Sequence, residues 1–125
     1  MPIPSALGNQ IERELADSPR YRIHPAGHTE YLLRYQTVNG VPFAVGRTAA
    51  SAVRVWISAD DRVRLALEAD GFRCMLSPPE PPEKGKRATG RNSNLEQIAE
   101  FKNEPLYWAR IRTAGEALAV AAKLP

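Results

Sequence analysis

The dipeptide Asn39-Gly40 constrains this chain more than any other feature. It separates two runs rich in β-branched and aromatic residues, 30–37 and 41–47. Asn-Gly supplies the positive φ angles that a tight hairpin turn requires, so these runs are expected to pair as antiparallel strands. A third strand is read over residues 52–57, where AVRVWI alternates strictly. Ser58-Ala-Asp-Asp61 then offers a cap and an acidic first turn for a helix over 60–70. Gly71 is placed to end that helix, and residues 72–76 read as a short fourth strand.

The flanking segments complete the pattern. Leu7, Ile11 and Leu15 recur every four residues and predict a first helix over 5–16, stopped by Asp17, Ser18 and Pro19. Residues 77–92, SPPEPPEKGKRATGRN, hold four prolines and two glycines and are expected to form an exposed loop. Ser93-Asn-Leu-Glu96 has the capping-box spacing and predicts a short helix to about Glu100. Pro105 opens a fifth strand over 106–112, LYWARIR, and Thr113-Ala-Gly-Glu116 repeats the capping-box spacing before a last helix ending at Leu124. The expected fold is one α+β domain over residues 1–125, with a mainly antiparallel sheet and the order α-β-β-β-α-β-loop-α-β-α.

Composition narrows the classes of function. At 125 residues, 43% hydrophobic and 25% charged, the chain has the size and balance of one globular domain. Its formal net charge is +3, which suits anionic partners. A single cysteine, Cys74, excludes an internal disulfide, and no Cys/His cluster offers a tetrahedral zinc site. No apolar run approaches the length of a membrane span, and the first residues lack the pattern of a signal peptide. A soluble cytoplasmic protein without a membrane partner is expected.

The opening order of helix, three strands, helix and strand resembles the core of restriction-endonuclease-like nucleases. Those enzymes hold a divalent metal with carboxylates on the second and third strands. Here VPFAVGR and AVRVWI carry none, so that chemistry is not expected, and no cofactor is implied. His24 and His28 lie four apart, but Pro25 and Gly27 rule out a helical metal pair, and Glu30 is the only nearby carboxylate. Both histidines are read as solvated or as bracing a turn before the first strand. Cys74 shares a strand face with Phe72 and Leu76 and is read as a buried, inert thiol.

Two features point to anions. Lys84, Lys86, Arg87 and Arg91 place four positive charges within eight residues, and Arg91, Asn92 and Ser93 precede the amides of the expected short helix, a setting suited to a phosphate. The strands supply the second feature, because side chains alternate between faces. Arg54 and Trp56 share one face of their strand, Trp108, Arg110 and Arg112 one face of theirs, and Arg34 opposes Tyr31, Leu33 and Tyr35. If these faces coincide, cations and indoles form one surface suited to phosphate contacts and base stacking. The expected function is a non-catalytic nucleic-acid-binding module. The alternatives are recognition of an acidic protein partner and an enzyme with a dispersed site built from His24, His28, Glu30 and Arg91. DNA, RNA and oligomeric state are not distinguished by these residues.

Overall fold

A computed structural model describes residues 3–77, 95, 97–102 and 104–125. In chain order the elements are α1 (Ala6–Ala16), β1 (Tyr21–Ile23), β2 (Leu32–Thr37), β3 (Pro42–Gly46), β4 (Val53–Ser58), α2 (Asp61–Ala69), β5 (Cys74–Ser77), β6 (Leu106–Ile111) and α3 (Ala114–Ala121). The six strands form one sheet in the order β1-β2-β3-β4-β6-β5, and every neighbouring pair is antiparallel. The domain is α+β. Because β6 returns between β4 and β5, those two strands run in the same direction and are joined through α2. Among the described residues, no helix is long and apolar enough to cross a membrane.

The β2–β3 hairpin forms where Asn39-Gly40 predicts it, with a different turn. The Gly40 N–H donates to the Thr37 carbonyl (2.8 Å), so Val38 and Asn39 occupy the centre of the turn and Gly40 follows at φ +86°. This is the hairpin in which a turn is followed by one left-handed residue, and glycine takes that position without steric cost. The strand β1 was not anticipated. It has only three residues, between Pro19 and Pro25, yet pairs with Thr37, Gln36 and Tyr35 and extends the sheet beyond β2. Residues 78–92 of the expected loop lie outside the described residues.

One sheet face is covered by the three helices. Leu33, Phe43, Val45, Val55 and Ile111 point toward Ile11 and Leu15 of α1, Leu67 of α2 and Val120 of α3. The four-residue spacing read in the first helix therefore marks its buried stripe. On α2, Asp60 caps the first turn by accepting from the N–H groups of Arg62 and Val63, and Thr113 caps α3 through Glu116 N–H.

The opposite face carries a different cover. Leu95, Ile98 and Phe101 are fully buried against Leu32, Ala44, Trp56 and Leu106. The short helix expected here is, among the described residues, a run of tight turns in which Ile98 N–H donates to Leu95 and Phe101 N–H to Ile98. Side chains three apart eclipse in such i→i+3 turns, which is why Leu95, Ile98 and Phe101 share one apolar edge.

Helix α1 meets the end of β3 through Gly8. The Arg47 carbonyl accepts from Ser5 N–H (2.8 Å), and Ser5 Oγ accepts from Gly8 N–H (3.0 Å). A Cβ on Gly8 would lie 2.3 Å from the Arg47 carbonyl oxygen, a backbone atom already fixed by Ser5. Gly8→Ala is expected to lower stability by about 1–3 kcal/mol, read as a reduced urea midpoint. Trp56→Ala removes a side chain buried under residues 95–101 and is expected to cost about 3–5 kcal/mol in the same assay.

Candidate functional site

Strand register brings the expected cations and indoles to one side of the sheet. Arg54 lies directly opposite Arg110, Trp56 opposite Trp108, and Ala44 pairs with both Arg34 and Trp56. Exposure then divides the group. Arg34 is only 3% exposed, and its guanidinium donates to the carbonyls of Ala26 (2.7 Å) and Gly27 and to Gln97 Oε1 (2.6 Å). Its donors are used inside the protein, so Arg34 leaves the candidate set. Trp56, 5% exposed, belongs to the core and offers no ring face to a base. Trp108 is half-buried. Lys84, Lys86, Arg87, Arg91, Asn92 and Ser93 lie outside the described residues.

Arg54, Arg110 and Arg112 remain exposed. They line an open groove of about 880 Å³, bounded by the β3–β4 loop and by Tyr31. The Arg54 guanidinium carbon sits 4.1 Å from the ring centroid of Trp108 and 5.9 Å from that of Trp56. Attraction to the electron-rich indole faces holds this cation in place. Among the described residues, no carboxylate lies within ion-pair distance of Arg54, Arg110 or Arg112, whereas Arg64, Arg47 and Lys123 are all paired. The nearest acid in sequence to Arg112 is otherwise engaged: Glu116 accepts the Arg112 main-chain N–H (2.7 Å), one residue before the cap Thr113. Arg47 also lines the groove, but its guanidinium donates to Glu12 (3.0 Å) and to the Thr29 carbonyl (3.1 Å).

Sequence reasoning missed Tyr31 and the β3–β4 loop. Tyr31 was assigned to the apolar face by alternation, but it precedes β2 and is 46% exposed at the groove. Residues 48–52, TAASA, carry only small side chains, and their lack of charge gave no signal.

The histidines build the scaffold beside this site. His24 is buried; its Nδ1 accepts Ala26 N–H (3.0 Å), and its Nε2 lies 3.4 Å from Glu100. His28 Nδ1 accepts Arg34 N–H (3.0 Å), with Nε2 4.0 Å from Glu12. Their carboxylate neighbours are thus Glu100 and Glu12, and the expected partner Glu30 is exposed and belongs to neither pair. Among the described residues, no group of three or more His, Cys, Asp or Glu side chains is placed to hold a metal ion. Cys74 is half-buried at the sheet edge, not fully buried as expected, and burial pushes its thiol pKa up.

No protein-family model, curated protein or solved structure matches the chain.

Burial pushes the His28 pKa below its ordinary 6.5; Glu12 opposes the shift, and Arg47 and Arg34 add to it. The unfolded chain therefore binds this proton more readily than the folded one, and the stability contributed by neutral His28 is lost as pH falls below about 6.5. His28→Asn keeps an acceptor for Arg34 N–H without the titration. Urea midpoints measured between about pH 7.5 and about pH 5 are expected to decline less in His28→Asn than in the unmodified protein.

Proposed function

We propose that the domain is a non-catalytic nucleic-acid-binding module that holds phosphodiester groups in the groove of Arg54, Arg110 and Arg112. The observation that carries this reading is three exposed arginines in one groove with no carboxylate partner among the described residues. Like charges directly opposite on neighbouring strands repel, as Arg54 and Arg110 do here. A polyanion laid in the groove converts that repulsion into attraction, and the guanidinium fork matches two phosphate oxygens at once. Backbone contacts of this kind supply affinity without reading sequence.

Fluorescence anisotropy with labelled oligonucleotides, titrated over salt and against heparin as an unspecific polyanion, tests the proposal. Affinity is expected to fall steeply with salt. The triple variant Arg54→Gln, Arg110→Gln, Arg112→Gln is expected to bind at least about tenfold more weakly and to reduce the log–log salt slope by about 2, the value for losing three phosphate contacts and their counterion release on a single strand. At low salt the unliganded triple variant is expected to be at least as stable as the unmodified protein, since it loses a like-charge cross-strand pair. Unchanged oligonucleotide affinity in the variant would overturn the reading.

A further inference from the structure

Within the nucleic-acid reading, on which this inference rests, we propose that the groove selects single strands over duplexes and seats one unpaired base against Tyr31 while the arginines hold the neighbouring phosphates.

Shape is the first argument. Proteins that read a duplex insert a helix or a two-stranded ribbon into a groove about 12 Å wide. Here the arginines stand on the sheet face itself, on β4 and just along β6, inside a concavity bounded by the β3–β4 loop. Residues 95–101 cover the adjoining part of the same face, where Trp56 lies. The cations lie in a concavity open to solvent, which a flexible strand can enter. The volume of about 880 Å³ lies within the range of sites that take small ligands, enough for nucleotide-sized pieces.

The spacing of charge and aromatic surface is the second argument. Arg110 and Arg112 are two residues apart along one strand line, about 7 Å, and Arg54 faces Arg110 at about 5 Å between Cα atoms. This is a short track of positive charge. Trp56 is buried and Trp108 carries Arg54 on its ring, which leaves Tyr31 as the exposed aromatic side chain of the groove. Its main chain is fixed, because the Tyr31 carbonyl accepts Arg47 N–H (3.1 Å). Thr48, Ala49, Ala50 and Ser51 line the same space with small side chains, leaving room for a base. Bases inside a duplex are stacked on each other, whereas unpaired bases stack on aromatic side chains.

The test uses the full chain and a labelled single-stranded 12-mer beside a duplex of the same sequence, with tripolyphosphate as a competitor that has charge and no base. The single strand is expected to bind at least tenfold more tightly than the duplex. Tyr31→Ala, at an exposed position, is expected to weaken single-strand binding at least about fivefold, with Tyr31→Phe restoring it and with tripolyphosphate affinity unchanged. Duplex binding as tight as single-strand binding, lost in the triple arginine variant but indifferent to Tyr31→Ala, would overturn the single-strand inference and leave the nucleic-acid reading standing. Arginine-dependent binding of tripolyphosphate without binding of either oligonucleotide would overturn both.

Discussion

A buried guanidinium ties together the two parts of the chain that lack regular structure. Arg34 sits in the middle of β2, yet its donors leave the sheet to reach Ala26 and Gly27 before the strand and Gln97 on the far side of the sequence. Burying a charge costs several kcal/mol unless its donors are satisfied, so the arginine enforces the positions of the groups that satisfy it. His28 adds to the arrangement by accepting the Arg34 main-chain N–H, and His24 holds Glu100 three residues beyond Gln97. Residues 24–29 and 95–101 are thus pinned to one strand from both sides.

That pinning decides what the second face of the sheet becomes. Once Leu95, Ile98 and Phe101 lie on Leu32, Ala44, Trp56 and Leu106, the middle of the face is core. The end of the face beside the β3–β4 loop stays open, and it holds Arg54, Arg110 and Arg112. The other face buries its centre under three helices and stays exposed at the sheet edges, at Ile23 and Leu76. One sheet therefore carries a complete hydrophobic core on one side and, on the other, a core patch adjoining a polar groove.

The face assignment was legible in the sequence because strand alternation is a strict period of two. Arg54 and Trp56 on β4, with Trp108 and Arg110 on β6, fall together as alternation requires. Which of them remain in contact with solvent was not legible, because that depends on residues some forty positions away. Nothing local to Arg34 marks it as a buried hub, and nothing local to Trp56 says that Phe101 will lie over it. The spacing of Leu95, Ile98 and Phe101 did contain the signal, since a period of three is that of a tight 3₁₀ turn, but the capping-box spacing drew the reading toward an α-helix. The strand β1 was missed for a simpler reason: three residues are too few to display a period. Its pairing comes from β2, which offers an unsatisfied edge.

In the proposed nucleic-acid reading, the three arginines of the groove do not contribute equally. Arg54 is held against Trp108 before any ligand arrives, so part of the entropy lost in fixing its long side chain is already lost in the free protein. Among the described residues Arg110 and Arg112 make no such ring contact, and in that reading they are ordered only on binding. Packing against the indole places the Arg54 charge over Trp108, two residues along β6 from its cross-strand neighbour Arg110. A sequence selected for stability alone would place an acid at one of these positions, as it does for Arg64 between Asp61 and Glu68 on α2. In the proposed reading Arg54, exposed and packed on Trp108, is the residue around which an incoming anion would be organised.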